Sequence, residues 1–285
     1  MAVTSAAGAT TPWASRAVRA LGFAVAAACT AMTYALYTAP YWALGAWPWP
    51  EQQMSFVFLA SIVASIGMVW LSVAVTGELA ALAGVGVNML VASLGACLFL
   101  ALQTWQTGRD DLLPAIVLSG VSSAFGVWLW RWAGRLAVRD PRPMPAFMYR
   151  ACIVIVVTPI VAGSALVLQR QVFPWLLQAE TATLFGFIFL GAAAYFVHAA
   201  VRRRWAFAVP PLLGFLVFDL VLFVPYAKLL ADPGAVDDIY GGEPVNRTSL
   251  AIYLAVLASS TLLALYALLL HPATRWRAAR AASAP

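Results

Sequence analysis

The sequence predicts an all-α, polytopic membrane protein with eight transmembrane helices and both termini in the cytoplasm. Of its 285 residues, 63% are hydrophobic and only 10% are charged, whereas a soluble domain has about 25% charged residues. The apolar residues also occur in long runs, and about 20 helical residues are enough to cross a bilayer. The basic residues follow the ends of these runs, so the sequence pI near 9.5 indicates membrane topology and no nucleic-acid partner.

Eight apolar runs are each long enough to form a spanning helix. Their predicted bounds are 20–46, 55–75, 79–104, 111–131, 150–168, 181–201, 206–227 and 249–270. Residues 1–285 are therefore expected to form a single integral membrane domain, with flexible tails at 1–15 and 278–285. The sequence "TGE" at 76–78 is all that joins the second run to the third, which predicts a tight antiparallel hairpin.

The first run has the shape of a signal peptide, because Arg16 and Arg19 precede an apolar stretch. That stretch continues well beyond the 7–15 residues of a signal h-region. We therefore interpret it as an uncleaved first transmembrane helix.

The basic residues predict the orientation, since Lys and Arg are enriched in cytoplasmic loops. With the N-terminus inside, 13 of the 17 basic residues fall on the cytoplasmic side and four on the other. The four are Arg109, Arg170, Lys228 and Arg247. Together with the Arg-biased composition, this predicts a bacterial cytoplasmic (inner) membrane protein whose N-terminus and C-terminus lie in the cytoplasm.

Asp219 is the candidate functional residue, because it lies in the middle of the apolar stretch "GFLVFDLVLFVPYAKLL". An acid at that depth is energetically unfavourable, and such acids often have a functional role. Tyr226 follows seven residues later, hence on the same helix face. Polar residues of other runs are expected at a similar depth: Asn88, Ser122, Ser123 and Ser260. The small residues 191–194 of the sixth run are expected to pack beside Asp219.

Two interpretations of Asp219 remain open at this point. The carboxylate could bind a substrate or a coupling ion, or a hydrogen-bonded Asp could fix the packing of helices. Lys228 lies nine positions away, on roughly the opposite face, so it is not expected to pair with Asp219.

Weaker patterns suggest cofactor or metal chemistry. His198 and His271 are predicted near the same membrane surface, where a pair on adjacent helices could ligate a haem. Asp232, Asp237 and Asp238 could bind a cation in one loop, although their spacing does not match an EF-hand. Interfacial histidines and a solvated acidic loop are the favoured interpretations. No cofactor and no metal site is therefore predicted.

Three functional hypotheses follow. The first is a small transporter or permease-like module with a midplane polar site around Asp219. The second is a structural or assembly subunit of a larger membrane complex, with membrane-protein partners or as a homo-oligomer in the lipid bilayer. The third is a membrane enzyme or redox protein acting on a lipid, quinone or haem. Catalytic motifs such as H-E-x-x-H and G-x-S-x-G are absent from the sequence, so the sequence favours a non-enzymatic role.

Overall fold

The computed structural model describes residues 12–38, 47–49, 51, 53–232 and 245–274. The structure is 83% helical, with no strand among these residues. Eight of the helices they form are long and apolar enough to cross a membrane. We number them α1 Pro12–Thr38, α2 Gln53–Thr76, α3 Leu82–Thr107, α4 Leu113–Ala133, α5 Ala146–Val167, α6 Ala179–Arg202, α7 Trp205–Ala231 and α8 Arg247–Leu265. This architecture fits a multi-pass membrane protein.

Short non-α turns extend three of these helices. A 3-10 turn, Leu79–Ala81, precedes α3, and a second, Asp110–Leu112, precedes α4. A π-helical turn, Tyr266–Leu270, continues α8. With these turns included, the predicted bounds of the second to eighth spans agree with the structure to within four residues.

The first helix differs most from its prediction. It begins at Pro12 and ends at Thr38, whereas the predicted span begins at residue 20. Low hydropathy hid this start, because alanine and charged residues form helices well without being strongly apolar. The predicted end, residues 39–46, and the C-terminal tail, 278–285, lie outside the described residues.

The chain divides into two compact units. The first unit comprises Met1–Ala24, Trp70–Ile160 and Phe187–Pro210. The second comprises Val25–Val69, Val161–Gly186 and Pro211–Pro285. The units are described one at a time below.

Glycines bring helices of the first unit into backbone contact. A Cβ on Gly126 of α4 would lie 2.8 Å from the carbonyl oxygen of Gly86 and from the amide nitrogen of Leu90, both on α3. Small residues permit this close approach between membrane helices. On the other side of α3, Gly191 of α6 packs against Asn88 and Ala92. Helix α3 is therefore packed between α4 and α6.

A buried glutamate holds the α2–α3 turn of the first unit against a connecting loop. Gly77 adopts a positive φ of 68°, which glycine does readily. The next residue, Glu78, is only 6% exposed, and its Oε2 accepts hydrogen bonds of 2.9 Å from the backbone amides of Arg139 and Asp140. Burial raises the pKa of Glu78, and the two amide donors offset part of that effect.

Aromatic packing dominates the second unit. The Phe58 ring lies 4.8 Å from Phe173, 4.9 Å from Phe185 and 5.6 Å from Phe218, measured between ring centroids. Further ring contacts join Trp175, Tyr226 and Tyr253 to this group. We call these seven residues the aromatic cluster. Five of them are at most 2% exposed, so they form the core of this unit: Phe58, Phe173, Trp175, Phe185 and Tyr226.

Candidate functional site

Asp219 lies near the middle of α7, whose 27 residues extend over about 40 Å at 1.5 Å per residue. Its neighbours in sequence are apolar, and the helix that contains it has high hydropathy. Although it is a carboxylic acid, only 1% of its surface is exposed. Burial of this kind requires hydrogen-bond partners or a neutral state.

Two adjacent residues of α8 supply the partners. The Ser260 hydroxyl donates a hydrogen bond to Oδ2 of Asp219. The Thr261 hydroxyl donates to the same oxygen at 3.4 Å. Among the described residues, Oδ1 of Asp219 accepts no hydrogen bond. One oxygen of the carboxyl group is thus held by α8.

The Ser260 hydroxyl has a second partner on its own helix. Its oxygen lies 3.1 Å from the carbonyl oxygen of Leu257. A hydroxyl has one proton to donate but can also accept. Ser260 can therefore donate to ionised Asp219, or accept from protonated Asp219 while it donates to Leu257.

The aromatic cluster adjoins this pair of helices. Phe218 precedes Asp219 in sequence and contacts Phe58. Tyr253 of α8 is close enough to Asp219 to interact with it electrostatically, and its ring lies 5.9 Å from that of Tyr226. Members of the aromatic cluster therefore lie on the same two helices as Asp219 and Ser260, and a buried environment of this kind has a low dielectric constant, in which charge interactions are strong.

A short hydrogen-bond chain anchors the cluster. The Trp175 indole nitrogen donates to the Ser55 hydroxyl at 3.2 Å. Ser55 in turn donates to Oε2 of Glu51 at 2.7 Å, and Oε1 of Glu51 accepts from the Gln178 amide at 3.2 Å. The indole is therefore fixed in orientation although it is fully buried. A small cavity of about 170 Å³, lined by Arg170, Gln171 and Phe173 among others, lies beside it.

The structure brings some of the sequence-predicted residues together. Ser260 binds Asp219, and Tyr226 belongs to the aromatic cluster of the same unit. Asn88, Ser122 and Ser123 belong to the first unit. Within that unit, Ser123 is buried, and Gly191, predicted to pack beside Asp219, packs on Asn88.

The two histidines, which the sequence suggested only weakly as haem ligands, have different packing partners. His198, in the first unit, packs edge-on against Phe207 at 5.6 Å. His271, in the second unit, packs against Tyr266 at 5.7 Å, and its Nδ1 lies 3.4 Å from the Thr274 hydroxyl. Each histidine thus has its own local packing partners.

The predicted cation loop is described only in part. Asp232 is exposed at the end of α7, whereas Asp237 and Asp238 lie outside the described residues. Within the part of the chain that the structure describes, no three His, Cys, Asp or Glu side chains are grouped so as to hold a metal ion.

Sequence reasoning missed Tyr253 and the Glu51–Ser55–Trp175 chain. Tyr253 precedes Ser260 by seven residues, hence it lies on the same face of α8. That spacing could have indicated Tyr253 once α8 was known to face Asp219. No comparable signal links Trp175 with Ser55, because their contact is made by the folded connection between α5 and α6.

No protein-family model matches the chain. No curated protein and no solved structure is significantly similar to it either. The function is therefore argued from the site.

Proposed function

We propose that the protein is a small transporter-like module of a bacterial inner membrane, in which Asp219 is the proton-exchanging coupling residue. One observation carries the proposal. A carboxyl group that is 1% exposed at the centre of a membrane-length helix receives hydroxyl donors and, within the described part of the chain, no cationic side chain.

No cationic side chain among the described residues pairs with Asp219. The ion pairs among the described residues are Arg109–Asp111 and Arg142–Asp140, and neither involves Asp219. An ionised, unpaired carboxylate inside a membrane is strongly unfavourable. Asp219 must therefore hold a proton or a cation for much of its working cycle.

The hydroxyl partners make both protonation states acceptable. Ser260 can donate to the ionised carboxylate or accept from the protonated acid, with Leu257 taking the hydroxyl proton in the second case. A packing residue needs only one such state. A coupling residue needs two of similar free energy, because transport requires the proton to be released as well as bound.

The orientation is part of the same proposal. The Arg-rich helix ends face the cytoplasm, as the positive-inside rule requires, so both termini are cytoplasmic. Fusion of a reporter enzyme that works only outside the cytoplasm tests this arrangement. A fusion after Asp232 is expected to be active, and a fusion after Arg139 inactive; the reverse pattern would overturn the orientation.

Proton flux in proteoliposomes tests the coupling role. A pH-sensitive dye is trapped inside the proteoliposomes, and a pH gradient is imposed across their membrane. The dye reports how fast this gradient decays, first with the pH gradient alone and then with an opposing Na⁺ or K⁺ gradient. We expect wild-type protein to dissipate the pH gradient faster than protein-free vesicles. Asp219→Asn keeps the size and the hydrogen-bonding groups but cannot ionise, so its flux should fall to that background.

Asp232→Asn is the matched control, because it removes an exposed carboxylate at the end of α7, the helix that contains Asp219. This variant should behave like wild type. Wild-type flux that survives Asp219→Asn would remove Asp219 as the coupling residue. Wild-type flux equal to that of empty vesicles under both gradients would reject transport and favour the second hypothesis.

A structural or assembly subunit is the second candidate, and the link between α7 and α8 favours it. Ser260 and Thr261 satisfy one carboxyl oxygen, which joins two helices that carry large exposed apolar side chains. This hypothesis predicts a stable partner or homo-oligomer after mild solubilisation, measured by native mass spectrometry. It also predicts that Asp219→Asn, which preserves the link, leaves assembly intact.

A further inference from the structure

A cleft in the first unit has the features of an anion site, and it is distinct from Asp219. Its volume is about 750 Å³, within the range of ligand pockets. It lies where α4 ends, α6 ends and α7 begins. Arg202, Arg204 and His198 line it together with apolar side chains such as Trp130 and Leu136.

The two arginines of the cleft are not neutralised by any acidic side chain that the structure describes. Arg142, at the same end of the unit, pairs with Asp140 at 2.6 Å, and Arg203 stacks over the Tyr149 ring at 4.8 Å. Arg202 and Arg204 form no ion pair with any described residue. Two uncompensated guanidinium groups beside a cleft attract an anion, and guanidinium geometry suits phosphate.

The Phe207 ring packs against both Arg202 and His198 and holds them in place. The guanidinium of Arg202 lies 5.8 Å from the Phe207 ring centroid, and His198 packs edge-on against the same ring at 5.6 Å. The Nε2 atom of His198 is buried and has no hydrogen-bond partner among the described residues. Such an orphan group is unfavourable unless a ligand or water satisfies it. Its position on the cleft wall offers a donor to an anion.

We propose that this cleft binds the phosphate group of a glycerophospholipid. Arg202 and Arg204 would pair with the phosphate, and Nε2–H of His198 would donate to one of its oxygens. The apolar wall favours a lipid over a soluble phosphate, because it provides a surface for acyl chains beside the headgroup. The ends of membrane-length helices also lie where lipid headgroups are found.

Native mass spectrometry of the full-length protein tests the site. Detergent-solubilised protein is titrated with phosphatidic acid, with phosphatidylcholine and, separately, with inorganic phosphate. Wild-type protein is expected to retain phosphatidic acid. Each arginine near an anionic headgroup contributes a factor of about five to affinity, so Arg204→Gln should weaken binding about fivefold and the double variant Arg202→Gln/Arg204→Gln about 25-fold.

The double variant Arg131→Gln/Arg150→Gln is the control, because it removes the same charge from exposed positions that do not line the cleft. It should bind like wild type. Arg204 is exposed, so Arg204→Gln alone remains informative if loss of the Arg202–Phe207 contact impairs folding.

A wild-type protein that binds inorganic phosphate but retains no lipid, together with cleft variants that do not bind phosphate, would support the phosphate site and assign it to a soluble ligand. Lipid binding that is equal in the cleft and control variants, or a wild-type protein that binds neither lipid nor inorganic phosphate, would overturn the proposal.

Discussion

The Asp219 site of the second unit and the arginine cleft of the first unit handle charge in opposite ways. Asp219 is almost fully buried and satisfied by neutral hydroxyls. Arg202 and Arg204 are exposed beside an open cleft, and neither pairs with an acid among the residues that the structure describes. A buried charge group can work only by changing its own state, whereas an exposed one can work by attracting a ligand. The first arrangement suits proton exchange and the second suits binding.

Packing around the two sites differs as well. The second unit packs large aromatic side chains against one another, and some of them lie on the helices that carry Asp219 and Ser260. The first unit uses glycines, so that its helices meet at their backbones. Loss of an aromatic ring should therefore destabilise the second unit, and addition of a methyl group to a glycine should destabilise the first.

Loss of Trp175 is expected to have the largest effect. Its side chain is fully buried, and it contacts Phe173 and Tyr226. Trp175→Ala should lower the free energy of unfolding by about 3–5 kcal/mol, because it leaves a large cavity. Thermal unfolding in detergent measures the change. Trp105→Ala, at a side chain that is 81% exposed, should leave stability almost unchanged; equal losses would show that the aromatic cluster is not a core.

Addition of a methyl group to the glycine contact of the first unit comes next. Gly126→Ala places a Cβ 2.8 Å from backbone atoms of α3, and such overpacking costs about 1–3 kcal/mol. Gly120→Ala on the same helix places its Cβ 3.7 Å from the Cys97 sulfur, an ordinary contact. The melting temperature should fall for the first variant only. A fall of the same size for Gly120→Ala would contradict the proposed backbone contact.

Removal of the hydroxyl that binds Asp219 should have a comparable or smaller effect. Ser260→Ala deletes a donor to a buried acid, which costs about 1–3 kcal/mol. Ser259→Ala removes a hydroxyl that bonds only to its own helix, at Ala255, and should change stability by less than about 0.5 kcal/mol. Thermal unfolding of the two neighbouring variants under one condition makes the comparison. Indistinguishable values would mean that Ser260 does not support Asp219.

The smallest expected effect is a pH dependence in the first unit. The pKa of Glu78 is raised by burial above the 4.5 of a free side chain. Folded protein thus binds this proton more tightly than unfolded chain. The resulting stability is fully present below pH 4.5 and is lost as pH rises through the folded-state pKa. Wild type should therefore gain thermal stability relative to Glu78→Gln as pH falls from neutral towards 4.5.

Asp140, the other loop acid near Glu78, titrates outside that window. Hydrogen bonds and charge from Arg142 hold its pKa below 3.8, although burial acts against them. A melting-temperature difference between wild type and Glu78→Gln that stays constant with pH would contradict the assigned shift of Glu78.

Hydropathy was sufficient to predict the helices, because each span is a long apolar run whose ends carry polar residues. It failed at α1, where the first turns are helical without being apolar. Depth alone could not identify the partners of Asp219. Asn88 and Ser260 were equivalent by that criterion, yet Ser260 binds Asp219 while Asn88 packs on Gly191. Which helices are neighbours depends on tertiary packing, and a single sequence contains little information about it.

The cleft was even less accessible to prediction. The run Arg202–Arg204 is visible in the sequence as a topology signal, but the middle arginine differs in its role from the other two. Arg203 stacks on Tyr149, whereas Arg202 and Arg204 line the cleft. The difference arises where α6 ends, because Arg202 is its last residue and Arg203 adopts a positive φ of 50°.

Infrared difference spectroscopy of the Asp219 carboxyl group tests the central claim most directly. Protein reconstituted in lipid is cycled between acidic and alkaline buffer, and the carboxylic C=O band of wild type is compared with that of Asp219→Asn. The account predicts a reversible band that is missing from Asp219→Asn and shifted in Ser260→Ala, since Ser260 bonds to the titrating group. A wild-type band that persists in Asp219→Asn, or an Asp219 signal that never changes with pH, would contradict proton exchange at this residue.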